Sequence, residues 1–478
     1  MGDKEKGAAV DTGREDQVED SAAVRRAVRK MDMLVLSLCS IIYLLNFLDR
    51  SNIGNAKVAG LAKDLHLTSR QYLTCVTATY ILYIVWELPS NLLLKRIGAH
   101  IMVPAMVVTW GTVSCLTGLV KDFTGLFVAR LALGLCEGGL FPGLILYLSM
   151  FYRRRELQTR ISAFFASASL SGAFSGLLAA GIVNLNGKGG QEGWRWIFYL
   201  EGLFTALFGF ALFFILPRDP QGCRFLTQEE RNMIDRRLAA DVPPGTAQTD
   251  NDRFSLREIK ATFASPQVWL LFVALFGNGV TLYSLAYFTP PIVQSFGYTP
   301  VQTQLLSACP FVSAFLVTLV TAWLSDRYAR RGLCAIAMSV LALVGFIMFY
   351  KSLLTSVRYT ALFLAITGVY ATAPALCTWI NVNSAGHYRK STAIALGFIS
   401  TNSGGIAATW LFPQEQAPAY KTASKVLIAM TVLVGVFSGL NILYLRHANR
   451  RKAKRREEND EANYLIEGDK HPAFVYNY

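Results

Sequence analysis

The chain has 478 residues, 53% of them hydrophobic and only 16% charged, where an ordinary soluble domain carries about 25% charged residues; its mean hydropathy is +0.35. Charges gather in short clusters separated by apolar runs of roughly 20 residues, which excludes a soluble globular protein and indicates a membrane protein. The net charge of +14 does not indicate a nucleic-acid binder, because Lys and Arg sit in loops between apolar runs and in the tails, where basic residues set membrane topology.

In chain order, a polar tail (1–32) ends in VRRAVRK and lacks the early apolar core of a signal peptide. Its basic cluster is expected to stay cytoplasmic. Twelve spans are then predicted, at about 33–53, 72–94, 101–120, 124–150, 160–184, 194–216, 267–290, 302–325, 333–353, 358–381, 390–412 and 421–446. The expected fold class is an all-α membrane protein, twelve transmembrane helices in two six-helix pseudo-symmetric halves (33–216 and 266–446). An even number of spans puts both termini on the cytoplasmic side. Basic clusters after spans 2, 4, 8, 10 and 12 agree with that sidedness.

Span 1 runs into NFLDRSNIGNA. Asp49 lies about 24 Å along it at 1.5 Å per residue, inside a hydrocarbon core about 30 Å thick. Either Asp49 and Arg50 mark the outer end of the helix and face water, or they are a buried pair facing the bundle axis. Span 2 carries Tyr80 and Tyr83 and is followed by LLLKRIGAH, with Lys95 and Arg96. Span 4, FVARLALGLCEGGLFPGLILYLSMFY, holds Arg130 and Glu137 seven residues apart, on one face and about two turns apart. Each central charge costs roughly 2.5–3.5 kcal/mol on insertion scales. The pair is therefore either a structural link or part of ligand and proton handling. Gly134-x-x-x-Gly138 and Gly139-x-x-x-Gly143, with Gly172-x-x-x-Gly176 on span 5, predict close helix packing, expected to bring the charges of span 4 to those of span 1.

The polar stretch 217–265 reads as a cytoplasmic linker. Within it, Thr227-Gln-Glu-Glu230 fits a capping box that opens the helix EERNMIDRRLAADV, and Ser255-Leu-Arg-Glu258 is a second match. VPPG breaks the first helix. In the second half, Asn278 and Tyr283 on span 7 and Asn402 on span 11 are polar groups in apolar surroundings; each either contacts a substrate or bridges helices. WLSDRYARRG (323–332), with Asp326 and Arg327, echoes the loop after span 2. Trp379, Asn381 and Asn383 fall where an interfacial position is expected. The tail 447–478 is basic, then mixed, and no lipidation box closes it.

The eight cysteines show no paired spacing and read as small packing residues. The five histidines, His66, His100, His387, His447 and His471, fall in loops or tails. There is no H-E-x-x-H and no P-loop, so no enzyme, cofactor or ATP-driven pump is indicated.

LLNFLDRSNIGNAKVAGL, ELPSNLLLKRIGAH, RLALGLCEGGLFPG, GWRWIFYLEG and STNSGGIAATWLFP resemble the major facilitator superfamily. More narrowly, they resemble its anion:cation symporter family, the fungal allantoate permease branch, from about 33 to 446. Lys95 stands where the superfamily loop usually carries an Asp. The resemblance implies proton-coupled symport of a small organic anion by alternating access; a monomer in the lipid bilayer is expected, in the plasma membrane, with the vacuole or another endomembrane the alternative. It implies proton-coupling roles for Asp49 and Glu137 and substrate-carboxylate contacts for Arg50 and Arg130. Tyr80, Asn278, Tyr283 and Asn402 are further candidate substrate residues, and Lys95, Arg96, Asp326 and Arg327 candidate gating residues. Within the same fold, a proton-driven exporter and a non-transporting nutrient receptor are the alternatives; span 5 lacks a proline, which argues for import.

Charge balance adds a mechanism. With both acids ionised, each neutralises an arginine. With both protonated, two guanidinium forks are offered to a carboxylate, so proton and anion favour each other's binding.

Overall fold

In a computed structural model, residues 22–240, 256–328, 330–384, 387–413, 416, 419–457 and 474–478 are described. Ser255, and with it the second capping box, lies outside them, as do the VPPG turn and the side chains of Lys95 and Asp326.

Every predicted span is a helix: α1 Ala22–Val58, α2 Ser69–Ile97, α3 Ala99–Thr117, α4 Phe123–Ser149, α5 Arg154–Val183, α6 Gly193–Ile215, α7 Pro266–Gln294, α8 Pro300–Tyr328, α9 Arg331–Lys351, α10 Thr355–Val382, α11 His387–Thr409 and α12 Lys421–Glu457. Among the described residues, ten helices are long and apolar enough by themselves to cross a membrane. The other two, α2 and α11, pack against each other across the two sets of six. α1 starts eleven residues before the predicted boundary, with a π turn at Asp32–Leu36, because backbone hydrogen bonding continues where apolarity stops.

Local chemistry sets the helix ends. Thr68 and Gln71 form a capping box at α2, and Asp122 Oδ1 accepts from Gly125 N (2.7 Å) at α4. The predicted Thr227–Glu230 box is present: Thr227 N donates to Glu230 Oε2 (3.0 Å) and Glu230 N to Thr227 Oγ1 (3.3 Å). It opens the linker helix Gln228–Ala240. Lys30–Glu230 (2.7 Å), Arg160–Asp32 (2.6 Å) and Arg237–Glu156 tie this helix, α1 and α5 together. That end of the bundle is called the linker face below.

Glycines allow the two sets of helices to meet. Gly54 of α1 abuts the Tyr287 carbonyl of α7, Gly172 of α5 the Phe311 ring of α8, Gly176 the Gln304 carbonyl, and Gly405 of α11 the Tyr80 ring of α2. The α4 glycines do not face α1 as expected. Gly134 and Gly138 face the Thr79 and Tyr83 carbonyls of α2, and the charges of α4 reach α1 only through their side chains. The reason is azimuth: Glu137 lies about 60° round the helix from Gly134. A methyl group at Gly134 would collide with the Thr79 backbone. Gly134→Ala is expected to destabilise the protein by about 1–3 kcal/mol, read as a lower melting temperature in detergent. Gly181→Ala, which meets nothing within 4 Å, is the matched neutral control.

Outward faces are apolar, as on α6 (Phe204, Leu207, Phe210, Phe214) and α12 (Val432, Val436, Leu440, Leu443), and suit lipid. The residues near the end of α10 are not interfacial. Trp379 and Asn383 are fully buried beneath the 474–478 segment: Trp379 Nε1 and Asn383 Nδ2 both donate to the Asn477 carbonyl (2.8 Å each). The eight cysteines are free thiols, mostly buried or half-buried.

Candidate functional site

From Leu45 to Ala56 every residue of α1 is buried, because α5, α6 and α7 surround this stretch. Asp49 is 2% exposed and Arg50 6%, which decides for the buried pair over the water-facing helix end. Adjacent residues on a helix point about 100° apart, so the two serve different neighbours.

On the Arg50 side, Nε lies 3.5 Å from Glu137 Oε2, and Asn46 Nδ2 donates to the same oxygen (2.8 Å). Arg50 Nη1 donates to the Tyr283 hydroxyl (2.8 Å), which donates to Asn402 Oδ1 (3.1 Å). The guanidinium also lies over the rings of Tyr83 (4.8 Å) and Phe47 (5.2 Å). The Tyr80 and Tyr287 hydroxyls meet at 2.6 Å, and Tyr283 stacks on Tyr287 at 6.2 Å. The result is an aromatic box around one cation, built from α1, α2 and α7.

On the Asp49 side, Oδ1 accepts from Ser114 (2.8 Å) and Asn52 (3.4 Å), and Asn52 Nδ2 also donates to Glu201 Oε2 (2.7 Å). Asp49 Oδ2 and Glu201 Oε1 are buried without a partner.

Arg130 stands apart. It is 3% exposed, its guanidinium lies 5.6 Å from the Phe198 ring centroid, and Nε and Nη2 have no hydrogen-bond partner. No carboxylate of the described residues lies within 4.0 Å of it. The neutralisation expected from charge balance is therefore met for Arg50 and Glu137 but not as an ion pair for Arg130 and Asp49. Nor do Arg130 and Glu137 link directly: seven residues put them about 10 Å apart along α4, and Glu137 turns to Arg50.

Of the other candidates, Tyr80, Tyr283 and Asn402 join the box. Asn278 does not; it is buried on α7 about 140° round the helix from Tyr283. At the linker face Arg96 is exposed, and Arg327 lies over the Trp323 ring at 5.1 Å. Sequence reasoning missed Glu201, Glu87, Asn46, Asn52 and Ser114. Glu87 and Glu201 carried the signal that singled out Glu137, a lone acid in an apolar run. Among the described residues no His, Cys, Asp and Glu group is arranged to hold a metal ion.

The cavity beside Phe47, Ser51, Ser175, Pro290 and Tyr370 has room for little more than a water molecule. A second small cavity lies beside Phe141, Ile145, Asn381 and Phe398.

Comparison with known proteins agrees with this architecture. Residues 39–409 match the sequence profile of the Major Facilitator Superfamily. An uncharacterized transporter of Schizosaccharomyces pombe is 36% identical over 89% of this chain and 84% of its own length. A high-affinity nicotinic acid transporter of Saccharomyces cerevisiae is 31% identical over 95% of this chain and 85% of its own. Among solved structures, a D-xylose–proton symporter superposes with a TM-score of 0.65 at 14% identity, covering 84% of this chain and 96% of that one. At that identity the likeness is one of fold.

Proposed function

Because this chain belongs to the Major Facilitator Superfamily and is a multi-pass membrane transporter, we propose that it imports a small organic carboxylate together with protons. On this reading it belongs, within the superfamily, to the anion:cation symporter family, in the fungal allantoate permease branch. The observation that carries the reading is Arg130, a buried guanidinium whose Nε and Nη2 have no partner, in the same bundle interior as an Arg50 that is already paired with Glu137. A buried cation of this kind is costly unless something anionic meets it, and a guanidinium fork suits a carboxylate. The match to a nicotinic acid transporter supports the substrate class.

The chemistry runs as follows. A proton taken up by Glu137 removes the charge that holds Arg50, while Asn46 still holds the neutral acid. Arg50 and Arg130 are then both available to one anion, and the tyrosine box supplies apolar walls and hydroxyls. A proton on Asp49 removes the negative charge nearest Arg130. Closure of the halves about the glycine contacts carries the loaded site across, and loss of the proton restores the Arg50–Glu137 pair and expels the anion. By this reading the linker face, with its Lys and Arg clusters, is cytoplasmic, and Lys95, Arg96, Asp326 and Arg327 belong to its gate. The protein acts as a monomer in the plasma membrane.

The test is a competition screen of small carboxylic acids in uptake-deficient cells at two external pH values. Uptake that is faster at the lower pH, and blocked by carboxylates but not by their amides, is expected. Equal inhibition by the amides would refute an arginine-held anion. A finer test is Tyr283→Phe, which removes the hydroxyl that orients Arg50. Losing a hydrogen bond to a charged group costs about 1.5–3 kcal/mol, so KM is expected to rise at least about tenfold with proton-driven accumulation retained.

A further inference from the structure

We propose that Glu87 is a second proton carrier, placed on the linker side of the Arg50–Glu137 pair, which accepts the proton that Glu137 gives up as the anion leaves. This rests on the proton-coupled reading above.

Glu87 sits inside α2, is 2% exposed, and neither of its carboxylate oxygens has a hydrogen-bond partner among the described residues. It lies four residues beyond Tyr83, one turn along the same face, as α2 runs back toward the linker face. The Tyr83 ring lies under the Arg50 guanidinium at 4.8 Å. The charged and titratable neighbours that bear on this corner are Arg50 from α1, Tyr83 from α2, Tyr283 from α7 and Glu137 from α4. Of these only Arg50 is a cation, and it is engaged by Glu137.

The α4 backbone comes close to the main chain of Glu87 at its break. Immediately after Glu137, α4 breaks at Gly138 and Gly139, the latter at φ +90°, a conformation that favours glycine. A side chain at Gly139 would collide with Ser90 Oγ and touch the Glu87 carbonyl. The Glu87 main chain therefore lies beside the break in α4 that directly follows Glu137, on its linker-face side.

An ionised carboxylate with no hydrogen bond and no ion pair is strongly disfavoured in such a site. The arrangement fits the moment after transfer: Glu137 ionised and paired with Arg50, and Glu87 carrying the proton as a neutral acid. The step is balanced. One O–H bond of the Glu137 carboxyl breaks, one forms on Glu87, and the negative charge moves from Glu87, where the Arg50 left by the departing anion is the cation that offsets it, to Glu137, where Arg50 receives it. Later loss of the proton toward the linker face resets Glu87.

The test uses the full-length protein in liposomes, with the monocarboxylate that the wild type takes up fastest from a panel led by nicotinate. Exchange of labelled for unlabelled substrate needs no net proton release, whereas accumulation under an imposed pH gradient does. Glu87→Gln is expected to slow exchange no more than about threefold and to slow gradient-driven uptake at least tenfold; Glu87→Asp is expected to restore part of the latter. Undiminished gradient-driven uptake in Glu87→Gln overturns the proposal. So does an equal loss of both activities in a variant that still elutes as a folded monomer, because that is the mark of a structural role. A wild type that shows no gradient-driven uptake sinks proton coupling itself, a result distinct from either.

Discussion

Replacing Arg130 by alanine is expected to remove saturable carboxylate uptake while leaving the protein as stable as before. The two halves of that expectation have separate grounds. Arg130 is buried, its Nε and Nη2 are unpartnered, and no described carboxylate lies within ion-pair distance. Removing it breaks no ion pair, so the usual cost of breaking a buried pair, about 3–5 kcal/mol, is absent. What is lost appears only when the anion binds. Truncating one partner of a buried charge pair costs about 2–5 kcal/mol, or about 30- to 5,000-fold in affinity. Arg130→Lys keeps the charge but loses the planar fork and should fall between. Arg50→Ala is the instructive contrast: it leaves Glu137, at 0% exposure, without its cation and should damage folding as well as binding. Binding of a labelled carboxylate to detergent-purified protein, beside a thermal melt, measures both halves. An unchanged affinity in Arg130→Ala would remove this residue from the site.

Glu137→Gln is expected to separate exchange from accumulation. The amide is nearly isosteric, and its oxygen can still accept the Asn46 hydrogen bond seen at 2.8 Å. It cannot take up or release a proton, and it no longer holds Arg50 by charge. Arg50 and Arg130 are then permanently offered to an anion, so substrate counterflow persists. Coupling does not. For one proton carried with one monocarboxylate, a gradient of one pH unit is worth about 1.4 kcal/mol, or about tenfold accumulation at equilibrium. The variant should approach no accumulation at any imposed gradient. The pH dependence follows with its sign: wild-type uptake rises as the outer compartment is acidified, because protonation releases the arginine, whereas uptake by the variant should be flat. A variant that still concentrates substrate against its gradient would assign proton coupling elsewhere, with Asp49 and Glu201 the acids to examine next.

The twelve spans and the buried character of Asp49, Arg50, Arg130 and Glu137 were legible in the chain, because a charge inside an apolar run of membrane length has few places to go. The same rule applies to Glu87 and Glu201, whose surroundings are just as apolar, but sequence reasoning passed them over. Partner choice was not legible. Equal numbers of acids and arginines suggested two pairs, yet only Arg50 and Glu137 meet, and Asp49 is held instead by Ser114 and Asn52. Asn278 and Asn402 looked alike as lone amides, and only Asn402 faces the tyrosines.

What the sequence by itself determined was where the chain must be helix and where it must cross: in lipid every backbone N–H and C=O has to be satisfied within the segment, so an apolar run of sufficient length has one solution. The ends of those helices were less determined, since the hydrogen-bond ladder runs on past the apolar zone, as it does before Met33 of α1 and after Arg446 of α12. Only the tertiary structure decided which charge meets which. That depends on the azimuth of each helix and on how closely the helices approach, set by contacts such as Gly134 against Thr79 and Gly54 against Tyr287. An error of one residue in azimuth turns a side chain by about 100°. Such an error would exchange the neighbours of Asp49 and Arg50, and with them the acid that gives up the arginine to an anion.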